Sequence, residues 1–229
     1  MPRPTLSSYL REHLDGSHKK KEPGPYLTIS CQHGCDGYEL GLTLAEFLNK
    51  RDELQRWKVY NKEFIQQLSE DTGVPEELLE RERVSKPSMF RDFFRGLNRK
   101  PIPDRTEIRN QTGQMIRIVA INGYGIIIGQ GGASATTDIG NGLTLRIEAP
   151  RDWRIARICR LESLDRHAAA AKIEQFDQEQ TRLRAYYNQK NKRKPEFHLV
   201  FDNSIFSKDL IAELVIKAME EKAMIEKPA

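Results

Sequence analysis

The sequence predicts an α/β fold, a mostly parallel sheet covered by helices on both faces. Two observations lead there. Short apolar runs alternate with longer amphipathic segments from Tyr26 onward, as expected when each strand is followed by a crossover helix. One run, Tyr124-Gly125-Ile126-Ile127-Ile128-Gly129, is apolar throughout, as in a parallel strand buried on both faces.

The elements follow in order. Residues 1–25 read as a flexible basic arm. Leu6, Tyr9, Leu10 and Leu14 allow a turn or two of amphipathic helix, and Gly16 to Pro25 breaks it and carries Lys19, Lys20 and Lys21. Tyr26 to Cys31 is the first strand. Tyr38 to Lys50 is a helix with Leu40, Leu44, Phe47 and Leu48 on one face. Trp57 to Tyr60 is a short strand, and Asn61 stands where it can cap the helix of Phe64, Ile65 and Leu68. Thr72-Gly73-Val74-Pro75 ends that helix and starts another. Residues 86–105, with Phe90, Phe93, Phe94 and five basic residues between Arg91 and Arg105, read as a helical cover. Thr106 to Asn122 is helical. Tyr124 to Gly129 and Leu143 to Ala149 are strands, the first followed by Gly129-Gln130-Gly131-Gly132. Pro150 to Leu161 is a helix bearing Arg151, Arg154, Arg157 and Arg160, and His167 to Asn188 is a long polar helix. A basic turn, Asn191 to Pro195, leads to the last strand, Phe197 to Phe201, and a closing helix, Ser207 to Lys222.

Composition narrows the class. The 229 residues suffice for a full core, and the net charge of +4 is too small to demand a nucleic-acid partner. A basic adaptor using Lys19–Lys21 and Lys190–Lys194 lacks any recognisable nucleic-acid motif, so that partner is not expected. No run approaches 18 apolar residues, so no membrane partner is expected. The first 25 residues lack the apolar segment of a signal peptide. Three cysteines cannot pair evenly, which suits a reducing, cytoplasmic location.

The chemistry concentrates in Leu27 to Gly41, LTISCQHGCDGYELG, where a strand runs through Gly34 and Gly37 into a helix. Such a turn offers backbone N–H groups and a helix N-terminus to phosphate. It has no lysine, and it adds Asp36, which reads as a solvated or helix-capping carboxylate with magnesium binding as the alternative. Cys31, His33 and Cys35 lack the second ligand pair of a zinc site, so no metal site is expected. The two cysteines read as small packing residues, with a redox pair as the alternative because a helix N-terminus lowers a thiol pKa. Phe90, Phe93 and Phe94 read as the apolar face of the covering helix, with base stacking as the alternative.

Five ordered segments resemble the cytidylate kinase-like family. LTISCQHGCDGYELG is similar to its strand, glycine loop and helix, I-T-I-S-R-Q-x-G-S-G-G-R-E-I-G. WKVYNKEFI resembles Y-D-K-E-x-I, YGIIIGQGGA resembles x-V-I-V-G-R-G-A, LTLRIEAPRDWRIARI resembles L-H-V-R-I-x-A-P-x-x-x-R-I-x-R, and FHLVFDNSIFS resembles Y-D-L-V-I-N-T-x-x-L-S. The resemblance spans about Tyr26 to Lys222. It implies a three-layer P-loop NTPase fold with a five-stranded parallel sheet, one domain over 26–229, a helical monophosphate cover at 86–105, and a lid with the long helix at 150–195. The activity it implies is phosphoryl transfer from ATP, with Mg2+, to a pyrimidine nucleoside monophosphate. The partners it implies are a nucleotide or nucleoside monophosphate and, as an option, a second copy in a homodimer.

By that resemblance, nucleotide and phosphate contacts fall on Gln32, His33, Gly34, Cys35, Asp36, Gly37, Tyr38, Gly129, Gln130 and Gly131, and catalytic roles on Arg154, Arg157, Asp177 and Arg182. The chain departs from the family at Cys31, Tyr38, Gln130 and Gln180, where the patterns carry arginine. A transition-state arginine is worth about 10³–10⁵ in rate, whereas a helix terminus contributes only about 0.3–2 kcal/mol per charge. The lost cations therefore weigh against transfer unless other arginines reach the loop. Arg154 and Arg157 best match family positions, with Arg160, Arg166, Arg182 and Arg184 as further candidates. Two functions follow: a kinase with impaired or lost turnover, or a pseudokinase acting as a nucleotide sensor or interaction module.

Overall fold

The computed structural model describes residues 22–51, 57–84, 104–192 and 194–227. The basic run at Lys19–Lys21, most of the arm and nearly all of the aromatic cover at 86–105 lie outside the described residues. The five strands are β1 (Tyr26–Cys31), β2 (Lys58–Tyr60), β3 (Gly125–Ile128), β4 (Gly142–Glu148) and β5 (Leu199–Asp202). The helices are α1 (Gly37–Arg51), α2 (Glu63–Thr72), α3 (Glu76–Val84), α4 (Arg105–Asn122), α5 (Gly132–Ala135), α6 (Arg151–Glu162), α7 (Arg166–Asn191) and α8 (Lys208–Glu221). Every strand pair is parallel, in the order β2-β3-β1-β4-β5. This is the three-layer α/β architecture the alternation predicts.

Two apolar layers sandwich the sheet. On one face Leu27, Ile29, Ile126, Ile128, Leu145 and Ile147 meet Leu40, Leu44 and Leu48 of α1 and Ile211, Val215 and Met219 of α8. On the other, Tyr26 and Ile127 pack under α2, α3 and α4, with Leu183 and Tyr187 of α7. A third, smaller core lies apart from both: Ile155 and Ile158 of α6 against Ala169 and Ile173 of α7. The α6–α7 hairpin thus has its own hydrophobic contact, and the distal half of α7 places Leu183 and Tyr187 in the core of the main body.

Local details depart from the sequence reading. Asn61 does not cap α2. The capping position is Lys62, which makes no side-chain cap bond, and the Asn61 N–H donates instead to the Glu63 carboxylate. The short helix α5 had no counterpart among the expected elements. Its four residues, Gly-Ala-Ser-Ala, carry no apolar period and are shorter than any helix stable alone. It follows Gly129, Gln130 and Gly131, three consecutive residues at positive φ (63°, 54° and 75°), a backbone path that the two glycines permit.

Candidate functional site

The carboxyl ends of the strands converge as open α/β sheets require. After β1 the chain runs through Gln32-His33-Gly34-Cys35-Asp36 into α1. Its neighbours hold it in place. The Gln32 N–H donates to the Ile147 carbonyl of β4 at 3.0 Å, and the Gln32 side-chain oxygen accepts from the Ala149 N–H at 3.1 Å. Beyond β5, the Asn203 Oδ1 accepts from the Asp36 N–H at 2.8 Å. The loop after β3 is tied in by the Gly129 N–H donating to the Ile29 carbonyl at 2.8 Å.

Gly34 sits at φ 92°, where a Cβ would lie 3.1 Å from the Arg154 Cβ, so this turn accepts only glycine while α6 stays in place. At Gly37 a Cβ would stand 2.5 Å from the Cys31 Sγ. The two glycines that mark the loop in sequence are thus required by the close approach of α6 on one side and of β1 on the other.

Of the four arginines of α6, two face the loop. Arg154 is buried; its Nη1 donates to the Asp177 Oδ2 at 2.8 Å and to the His33 carbonyl at 3.2 Å, and its Nε donates to the Ala149 carbonyl at 3.2 Å. Arg157, one turn on, grips Asp36 with both terminal nitrogens, Nη1 to Oδ2 at 2.6 Å and Nη2 to Oδ1, and lies 5.4 Å from the Trp153 ring. Arg151 and Arg160 are exposed. Asp177 also accepts the His33 N–H on Oδ1 at 3.3 Å. His33 stacks flat on Phe176, with ring centroids 4.2 Å apart. Burial, then Lys172, holds the His33 pKa below its usual value.

Several expectations change. Asp36 neither caps α1 with its side chain nor stands in solvent, because Arg157 takes both its oxygens. Arg182 is not directed at the loop. Five residues beyond Asp177 it is turned by about 140° around the helix axis, and its Nη2 donates to Gln178 at 3.3 Å. Arg184 donates to Thr181, and Arg166 pairs with Asp152. Gln130 belongs to a neighbouring cluster, where its side-chain oxygen accepts from the fully buried Arg83. Tyr38 is 43% exposed on the first turn of α1. Gln32, Gly129 and Gly131 serve the backbone framework; a Cβ on Gly131 would meet the Tyr187 ring at 2.6 Å.

Cys31 and Cys35 are not activated. Burial pushes the Cys31 thiol up, against the opposing pull of Arg146 and the Gly37 N–H. Burial, with Cys31 beside it, pushes Cys35 up to about 12. Here desolvation outweighs the helix terminus, which overturns the reason for expecting a redox-sensitive pair. Among the described residues no three His, Cys, Asp or Glu side chains form a metal cluster.

Asn203, Phe176 and Arg83 were not singled out by the sequence reading. Asn203 lies inside FHLVFDNSIFS, directly after the last strand, and its position at a strand's carboxyl end was the available signal. Phe176 and Arg83 are ordinary helix residues by pattern and gave none. A cavity of about 640 Å³ opens elsewhere, at the amino ends of β1 and β4, lined by Tyr26, Thr144, His198 and Lys222 among others. It lies on the opposite edge of the sheet from the glycine loop.

The parallel sheet, with a glycine loop between β1 and α1 at its carboxyl edge, defines a three-layer P-loop kinase fold. Residues 26–205 match the cytidylate kinase-like family, and the chain belongs to that family. No curated protein matches it. An uncharacterized protein from Eubacterium ventriosum is similar in structure, at TM-score 0.59 and 17% identity, covering 86% of this chain and 98% of that one. Shikimate kinase from Bacteroides thetaiotaomicron aligns at TM-score 0.49 and 14% identity, over 88% of this chain and 99% of the kinase. At such identities structural likeness speaks to fold alone.

The family implies ATP and Mg2+, which would have to meet the donors and carboxylates of this loop. Of the loop N–H groups, that of His33 is used by Asp177 and that of Asp36 by Asn203. Mg2+ is usually held by one or two carboxylates plus substrate phosphates. The two carboxylates at the loop, Asp36 and Asp177, are both on arginines. In the arrangement described, Asp177 takes the His33 N–H and the Nη1 of Arg154.

Proposed function

We propose that this chain is a nucleotide-binding protein of the cytidylate kinase-like family whose phosphates are received at the turn around Gly34, and that phosphoryl transfer is weak or absent. The observation that carries the reading is the convergence of Arg154 and Arg157 on that turn. A buried guanidinium and a half-buried one stand at the carboxyl edge of a parallel sheet, beside a helix N-terminus. Guanidinium groups are the side chains best shaped for phosphate. If ATP and Mg2+ bind, Arg154 and Arg157 would neutralise phosphate charge and the His33 N–H would orient an oxygen, while the metal would supply charge compensation to the phosphates.

The reading against efficient transfer rests on the absence of lysine from residues 32–38 and on glutamine at position 130. Transfer depends on cations placed around the moving group, so their number limits rate more than affinity.

The test is a thermal-shift and calorimetric screen of ATP, ADP, CMP, dCMP and UMP with and without Mg2+, paired with an assay of ADP release. Saturable stabilisation by a nucleotide, with little or no monophosphate-dependent ADP, is the expected result. Fast turnover would replace the pseudokinase reading with an active kinase. No response to any nucleotide would remove the proposal.

A further inference from the structure

We propose that two of the chain's own carboxylates, Asp177 and Asp36, latch the α6–α7 hairpin onto the glycine loop and hold the place of an incoming phosphate. The inference rests on the nucleotide-binding reading and adds to it a built-in competitor. Asp177 takes one loop N–H, from His33, and one guanidinium, from Arg154. That pair of donors is what a phosphate oxygen would take at the same turn. Asp36 occupies both terminal nitrogens of Arg157, a second described cation that faces the loop. Among the described residues, the two guanidinium groups that converge on the turn, Arg154 and Arg157, are thus already paired with carboxylates of the chain itself.

The latch is built to open. The proximal half of the hairpin packs on its own small core, Ile155, Ile158, Ala169 and Ile173, and its described links to the loop are the two ion pairs, the His33 amide, the Arg154 bond to the His33 carbonyl, the His33–Phe176 stack and the close packing of Gly34 on Arg154. The Asp177 side chain is 33% exposed, so water can replace its partners. One carboxylate carries a single charge, whereas a nucleotide di- or triphosphate carries several and makes bidentate contacts. Two anions cannot share the same donors. Affinity measured from the latched state is therefore lowered by the fraction of molecules that are open.

The experiment uses the full chain, as wild type, Asp177→Asn and Asp36→Asn, titrated calorimetrically with ATP and ADP, each with and without Mg2+. Amide hydrogen exchange at His33 is followed in the ligand-free proteins. Asparagine keeps the size of each side chain and removes the charge. The expected result is nucleotide binding about tenfold tighter in Asp177→Asn, together with a His33 amide that is protected in the wild type and exchanges at least about tenfold faster in that variant. Equal or weaker binding in both variants, with the wild type still binding, overturns the latch, since the carboxylates then assist the ligand or its metal. If no protein binds any nucleotide, the functional reading fails and His33 exchange alone decides the contact. Protection lost in Asp177→Asn keeps the latch, and a His33 amide unprotected in the wild type ends it.

Discussion

Asp36 and Arg157, 121 residues apart in sequence, meet in a two-point ion pair that joins the glycine loop to α6. Their side chains are 21% and 18% exposed, so the pair is largely withdrawn from water. Removing one partner strands the other's charge. Asp36→Ala is expected to cost about 2 kcal/mol, or roughly 4–8 °C in Tm for a chain of this size, measured by denaturant and thermal unfolding. The double variant Asp36→Ala with Arg157→Met should recover part of that loss. A coupling below about 0.5 kcal/mol in the cycle would place the pair with ordinary surface ion pairs.

Gly34 carries the turn at φ 92° with the Arg154 backbone carbonyl 3.3 Å from where a Cβ would stand. Gly34→Ala combines a strained backbone with pressure on Arg154. It is expected to cost about 1–3 kcal/mol and to abolish nucleotide-dependent stabilisation. Gly140→Ala serves as the control, because a Cβ there meets nothing within 4 Å. Its Tm should stay close to that of the wild type. A nucleotide response that survives Gly34→Ala would move the phosphate site elsewhere.

His33 gives the site a pH signature. Burial depresses its folded pKa below the ordinary value of 6.5, so the unfolded chain binds the proton more readily. The stabilisation from neutral, stacked His33 is therefore complete above about pH 6.5 and is lost as pH falls toward the depressed value. His198 is depressed in the same direction by burial and Lys222. His33→Phe preserves the stack on Phe176 and removes the titration. Its Tm should fall less than that of the wild type between pH 7.5 and 5.5. Parallel Tm curves for the two proteins would show that His33 does not contribute.

The thiols give a chemical test. With its pKa pushed up to about 12, Cys35 is thiolate in only about one molecule in ten thousand at pH 8. Cys31 is pushed in the same direction by burial. In folded protein, peptide mapping after maleimide or iodoacetamide treatment should find both poorly labelled over an hour, and all three cysteines labelled in denaturant. Rapid labelling of either, or a Cys31–Cys35 disulfide under mild oxidant, would show that the loop opens or that the helix terminus dominates.

The candidate site was legible in outline. Gly34 and Gly37 between an apolar strand and an amphipathic helix located the loop, and the order of later strands placed Arg154, Arg157 and Asp177 on elements that could reach it. What each arginine does was not legible. Helical spacing puts Arg154, Arg157 and Arg160 on related faces, but it does not say which of them turns inward, and Arg160 is exposed. Asp36 read locally as a solvated or capping carboxylate, yet its partner comes from beyond three intervening strands. Cys31 and Cys35 read as small packing residues with a redox pair as the alternative, and burial, which a local window does not show, disfavours the thiolate that the alternative needs.

Local pattern along the chain was enough for the fold class and for placing the candidate site at the strands' carboxyl ends. Apolar period, chain order and glycine placement are short-range properties that any local window displays. The pairing across the loop came from the folded arrangement: Asp36 on Arg157, Asp177 on Arg154, and Asn203 on the Asp36 amide. Coulomb energy and desolvation depend on distance and burial, and both are set by which elements the fold brings together, whatever their separation along the chain.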